Sequence, residues 1–597
     1  ADNDDNSGGQ WVQTGGVANQ TTINNSGLQG VLAGGSATDT TVNSGGGQSV
    51  HGQASDTTLD GGTQWVHSGG ITSGTIINKD GAQLVKAGAQ ATGSVVNTGA
   101  QGGPDAENND GQWVAGTATD TTINNDGRQI IAAGGLATST VIKADGDQSV
   151  HGSAINTLLE GGFQYVHEGA SAEGTVISQN GWQVVKNGAT ATDTTILNGT
   201  GTEVANGNSA SSQSVQAGGS ALNTTIGDDS PSGELLTDLS YQMVDGGRAE
   251  NTTINNGGVQ SVFAGGTAIG SVVNRGGRLE VSIWQDEPVA GKTAVAGSAN
   301  NVTVEADGIL SVDAGTSATD VVIKQGGALW ATTDSTVTGT NSLGDFFIDG
   351  TTHIATNVLL ENGGRLDVLG NGIADTTTVN QGSILAVATG GKAQNIVMHD
   401  GGVLIADTGA TVSGTNTTGA FGIDGATGKA SNLRLDNGSQ FTVLGNGSAD
   451  NTTVGAGSTL NVAQGGTLTG TTTFGDGASL TGSATNSGQL HFSNGNAAIS
   501  GSVSGDGQLL KEGNGTLTVS NGTLSQSQVT LNQGTLALNN AIINSDIIAQ
   551  SGTQVRLTGN SVMNGAIAPT DVTIDRAARW NIQRGAAVKS LLDILDN

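Results

Sequence analysis

Aliphatic residues along this chain are spaced by a fixed count rather than by helical period. In the first hundred residues one falls just after Thr or Ser and just before Asn or Asp, at Ile23, Val42, Leu59, Ile77 and Val96. The spacings are 19, 17, 18 and 19 residues. The set repeats as Ile123, Ile142, Leu159, Ile177 and Ile196, each 100 residues after its counterpart. A second motif fills the other half of each period: Gln, any residue, then Val or Ile. Examples are Gln64/Val66, Gln83/Val85, Gln112/Val114, Gln129/Ile131 and Gln183/Val185. Both motifs alternate with period two over four to six residues and end at Gly or Asn, the signature of short strands. Gln48-Ser49-Val50-His51-Gly52 matches Gln148-Ser149-Val150-His151-Gly152, so the first two hundred residues read as one block duplicated in tandem.

A unit of about 19 residues is too small to bury its own apolar side chains, and stacking turns them into one continuous core. The expected fold is all-β, a right-handed parallel β-helix. Successive turns pair at about 4.8 Å and aliphatic anchors stack inward, so roughly 25 turns make a rod on the order of 120 Å long. Gly takes corners that need positive φ, Asn or Asp tolerate them too, and stacked amides can hydrogen-bond along the axis. A leucine-rich-repeat horseshoe is disfavoured, because the regular Leu pattern and a helical half are missing. Longer gaps mark loops at 102–107, 228–234 and 283–288. The organisation expected is regular turns over 1–200, irregular turns with insertions over 201–305, further turns over 306–505, and a C-terminal part over 506–597. Segments 343–349 and 419–424 read as looser turns, and the apolar stretch 588–595 as a candidate helix.

Composition narrows the function. The chain has 597 residues with 100 Gly, 4 Pro and no Cys, and a formal charge of −31. Collagen is excluded by the scarcity of Pro and the absent three-residue Gly period. Disulfide and thiolate-metal scaffolds are excluded outright. No apolar run is long enough for a membrane helix. Scarce, unclustered Lys and Arg argue against nucleic acid as a partner.

The run Gly513-Asn514-Gly515-Thr516-Leu517-Thr518-Val519 resembles the passenger-associated repeat of Gram-negative autotransporters. Gly8-Gly9-Gln10-Trp11-Val12, Gly102-Gly103-Pro104-Asp105-Ala106-Glu107-Asn108, Leu360-Glu361-Asn362-Gly363-Gly364-Arg365-Leu366-Asp367-Val368-Leu369 and Val562-Met563-Asn564-Gly565-Ala566-Ile567 resemble the passenger of the antigen 43 family. That family comprises self-associating adhesins related to the adhesin involved in diffuse adherence, and the resemblance covers essentially the whole chain. It implies an exported protein on the surface of a Gram-negative cell, with a second copy of itself on another cell as partner, driving autoaggregation and biofilm formation. It also implies a signal peptide and a C-terminal membrane β-barrel. Neither lies in this sequence, which therefore reads as the passenger alone, tied to a membrane only through that barrel.

If the anchors point inward, their neighbours form an outer row that could carry the self-association. The candidate residues are Gln20, Thr22, Asn24, Asp39, Thr40, Thr41, Asn43, Asp56, Thr58, Asp60, Asn78 and Asn97. The alternative is a host-glycan or extracellular-matrix adhesin using an exposed aromatic stripe, with Trp11, Trp65, Trp113, Tyr165 and Trp182 read at the middle position of Gln-x-Val. A polysaccharide-degrading enzyme comes third: carboxylates sit at corners, cations are sparse, and no catalytic residues are assigned. His51/His67 and His151/His167 are each 16 apart and could stack on neighbouring turns. Imidazole pairs can take a transition metal, but inherited surface side chains are the plainer reading and no metal site is assigned. No cofactor is expected beyond Ca2+ as a weak option at the acidic segments 2–6 and 105–110.

Overall fold

The computed structural model describes residues 8–78, 80–97, 111–199, 210–228, 240–283, 295–568, 570–581 and 592–594. Among them there is no helix, and the strands form a parallel solenoid of about 28 turns with about 19 residues per turn. The loops expected at 102–107, most of 228–234 and 283–288, and the acidic segments 2–6 and 105–110, lie outside the described residues. The chain divides into two compact units, Ala1–Val322 and Ile323–Asn597.

In the first unit each turn contributes three strands, and each strand pairs in parallel with the same strand of the next turn. Gly9–Val12, Val17–Asn19 and Thr22–Ile23 make the first turn. Leu28–Val31, Ser36–Thr38 and Thr41–Asn43 make the second. The register places Gln10 beside Gln29, Ala18 beside Ala37 and Ile23 beside Val42. The anchors are inside as expected: Val42, Leu59, Ile77 and Val96 are fully buried and stack as one ladder. Val31, Val50, Val66 and Val85 form a second ladder and the alanines of the middle strands a third.

The Gln of the Gln-x-Val motif is also inside, which the spacing alone did not announce. Gln and Val two residues apart share a face of the strand, and each Gln from 29 to 260 in this row is buried. Its amide Nε2 donates to Oε1 of the preceding Gln at 2.6–2.7 Å, without a break from Gln260 back to Gln10. The Thr or Ser two residues before each anchor from Val42 to Val273 is buried as well and lines this seam. Thr75 Oγ1 donates to Gln64 Oε1 at 3.2 Å and accepts from Gln83 Nε2 at 3.0 Å. A buried amide that satisfies its donors and acceptors along the axis avoids the cost of desolvation. The seam ends where Leu279 replaces the Gln beside Gln260, and in that same turn Val302 replaces the Thr.

Within the second unit the corresponding positions are apolar, as at Leu366, Leu385, Phe441 and Leu460, all buried. The segments read as looser turns are β-hairpins. Thr336–Asn341 and Gly344–Asp349 pair antiparallel, and Gly344–Asp349 pairs antiparallel again with Ile354–Thr356. Val337, Phe346 and Ile348 recur as Val412, Phe421 and Ile423 in a second hairpin of the same register. On the neighbouring face Trp330–Thr332 pairs directly with Arg365–Asp367. One face therefore holds three strands where the other holds one, a local wedge between successive turns. Further on, a separate sheet of eight strands runs from Arg434–Leu435 to Ile567–Ala568. Of the stretch expected to be helical, the described residues Leu592–Ile594 form a strand on Asp571–Ile574.

Candidate functional site

The proposed outer row divides into three structural kinds. Gln20, Asp39 and Asp56 do not alternate along a strand. They occupy the corner before the third strand with φ of 56°, 53° and 54°. Gly74 and Gly93 take the same corner in later turns, as expected where a left-handed residue is required. Thr22, Thr41 and Thr58 lie on the short third strand and face outward. Thr40 is a correction: it is buried, and its hydroxyl lies 3.4 Å from Gln29 Oε1, so it belongs to the interior seam and not to the face.

The third kind follows the anchor. Asn43 Nδ2 donates to Asn24 Oδ1 at 2.8 Å, and Asn78 Nδ2 donates to Asp60 Oδ1 at 2.6 Å. Asn97 donates to Asn78 at 2.8 Å and Asn124 to Asn97 at 2.7 Å. These amides are held in line by one bond along the axis, and each keeps further hydrogen-bonding capacity. The axial hydrogen bonding expected of stacked amides is thus present along this row.

The aromatic residues make no continuous stripe. Trp11 is 60% exposed, whereas Trp65, Trp113 and Tyr165 are half-buried. Between them in the same row stand Gly30, Ser49, Leu84, Ile130 and Ser149. The Trp11 ring lies over Gly30, where a Cβ would meet it at 2.3 Å. Trp182 is a second correction, since it precedes Gln183; the middle position is Val184, which is buried. Trp182 instead pairs with Phe163, in the row of the buried Arg128 and the half-covered Asp147. Burial pushes the Asp147 carboxyl above its ordinary pKa, and Arg128 opposes that shift.

The histidines do stack. The His51 and His67 ring centroids are 4.2 Å apart with 3° between planes, and His151 and His167 are 4.1 Å apart with 15°. Among the described residues no group of three or more His, Asp or Glu converges as a metal cage.

The stretches 5–62, 142–200, 240–284, 338–402 and 413–477 match the family described as "Adhesin of bacterial autotransporter system, probable stalk". The autotransporter adhesin/invasin TibA of Escherichia coli O78:H11 (strain H10407 / ETEC) is 32% identical over 198 residues, 32% of this chain and 20% of TibA. The chain thus matches about a fifth of that relative's length. A crystal structure of a TibC-catalysed hyper-glycosylated TibA fragment shares 27% identity, covers 65% of this chain and 96% of the fragment, and superposes with a TM-score of 0.33. A PL6-family alginate lyase structure aligns over 99% of this chain and 95% of its own, at 9% identity and a TM-score of 0.17. Neither superposition is close enough to bear on function. The sequence matches, spanning just under half of the chain, are to bacterial autotransporter adhesins, and they imply an exported, cell-surface protein of Gram-negative bacteria.

Proposed function

We propose that the chain mediates cell-to-cell adhesion by pairing with a second copy of itself through the face built from Thr22, Asn24, Asp39, Thr41, Asn43, Thr58, Asp60, Asn78 and Asn97. Membership of the antigen 43 family within the autotransporter adhesins belongs to the same proposal. The observation that carries it is the axial amide ladder at Asn24–Asn43 and Asp60–Asn78–Asn97–Asn124. A row of amides already fixed in orientation loses little entropy when it meets a like row. Two antiparallel copies place donors opposite acceptors in an isologous contact. Each hydrogen bond nets about 0.5–1.5 kcal/mol, so single pairs stay weak and many copies per cell supply avidity. The glycan reading has less support, because the aromatic row is interrupted.

The test replaces Asp39 by Gly, which suits its corner, and Thr22, Asn24, Thr41, Asn43, Thr58, Asp60 and Asn97 by Ala. Cells displaying the variant at normal level with a β-rich spectrum are expected to stop clumping, and to fail in mixtures with wild-type cells. Undiminished clumping removes this face from consideration. Clumping abolished by soluble sugar would favour a lectin instead.

A further inference from the structure

The geometry points to a binding site for a single divalent transition-metal ion between His51 and His67. The two residues hold equivalent places on adjacent turns, directly after Val50 and Val66, and His67 N donates to Val50 O at 2.9 Å. Their rings lie parallel within 3° at 4.2 Å, His51 exposed and His67 half-buried, on a rigid parallel sheet. Neither ring has a side-chain hydrogen bond among the described residues, so no such bond opposes their turning toward a shared ligand. An ion about 2.1 Å from each of two nitrogens in tetrahedral geometry needs those nitrogens about 3.4 Å apart. The stacked rings hold their lone pairs parallel, so binding needs both rings to turn about the Cβ–Cγ bond, by roughly 50° each, until the nitrogens converge on the ion. Imidazole without carboxylate selects Zn2+, Cu2+ or Ni2+ over Ca2+ or Mg2+, and water completes the sphere.

The duplicated pair is an internal control. His151 and His167 stack in the same way, but Ser149 Oγ lies 2.9 Å from His167 Nε2 and Lys186 Nζ 3.4 Å from His167 Nδ1. Both nitrogens of His167 are thus engaged, one of them with a cation. The first pair binds and the second does not, which a generic affinity of surface histidines would not produce.

The full chain is titrated with Zn2+ by calorimetry and loaded with Cu2+ for electron paramagnetic resonance. One ion per chain is expected, with a spectrum showing two imidazole nitrogens. His67→Gln and His51→Gln should each weaken binding at least tenfold, whereas His167→Gln leaves it unchanged. The substitutions lie at the surface, and circular dichroism confirms that the β-rich fold is kept. Unchanged affinity in His67→Gln and His51→Gln overturns the site, as does an equal loss in His167→Gln.

Discussion

A single buried hydroxyl changes meaning along this chain with its neighbour. In the first unit Thr75 is embedded between Gln64 and Gln83. In the second unit Thr377, Thr452 and Thr472 hold the same place, two residues before a buried anchor, but their turns carry Leu366, Phe441 and Leu460 where the Gln would be. These three hydroxyls are buried without a hydrogen-bond partner. Val302 and Val358 show the apolar solution already in use at that place. Thr75→Val is therefore expected to destabilise by about 1 kcal/mol, the net worth of a typical hydrogen bond. Thr377→Val is expected to stabilise by about 1 kcal/mol, since it removes an unpaired buried polar group. Opposite shifts of the denaturation midpoint check the pair, and equal signs would show that the Gln seam does not govern these positions. The anchors were legible in the sequence because burial of an aliphatic residue needs only the period. The inward Gln was not, because a polar side chain reads as exposed until a parallel neighbour at the same register supplies its partner.

At the scale of the turn, the corner before the third strand selects residues by backbone conformation. Asp120 adopts φ of 52° there. Asp120→Gly should be nearly neutral, while Asp120→Val should cost about 1–2 kcal/mol for the forced left-handed geometry. Thermal unfolding of the two variants checks this, and equal effects would contradict it. The hairpins carry a related device. Asp424 Oδ2 accepts from Thr427 Oγ1 at 2.7 Å and Oδ1 from the Ala426 amide at 3.1 Å, and Asp349 accepts likewise from Thr352 and Thr351. The bond from Thr427 is the main cause holding the Asp424 carboxyl below its ordinary pKa. A carboxyl depressed on folding stabilises the turn above its unfolded pKa, and that contribution disappears as pH falls through the lowered folded value. Thr427→Val should move the Asp424 titration, followed by carboxyl carbon NMR, back toward the ordinary range. Phe346 and Phe421 marked these segments in the sequence, but Gly-bounded alternation looks the same in a parallel turn and in a hairpin. Only pairing between nearby rather than 19-spaced residues separates them.

Over the whole chain, stability divides by neighbourhood. Each turn contacts the turns beside it, so damage spreads locally. Leu59 is fully buried between Val42 and Ile77. Leu59→Asp places an unpaired charge there at a cost of several kcal/mol. Hydrogen exchange should show the first few turns losing protection while turns beyond residue 300 keep theirs; uniform loss would contradict nearest-neighbour stability. The formal charge of −31 bears on the proposed pairing. Like-charged copies repel until faces register, and salt screens that repulsion, so clumping should start faster at 0.3 M than at 0.03 M salt. The sequence disclosed the duplication and the inward anchors, because both are written in short spacings. Axial bonding between stacked amides was legible too, once the period was known to stack like on like.

The polar seam has one more effect, on error. Ladders of Val, Ile and Ala are nearly interchangeable, so a chain slipped by one entire turn would find every apolar position filled. The change from Gln260 to Leu279, with Ser271 giving way to Val302, breaks that indifference. A slipped chain would set an amide against a Leu and strand its donors in a dry interior. In a fold whose units are otherwise hard to tell apart, that boundary works as an address: it lets the chain count its turns and reject a miscount.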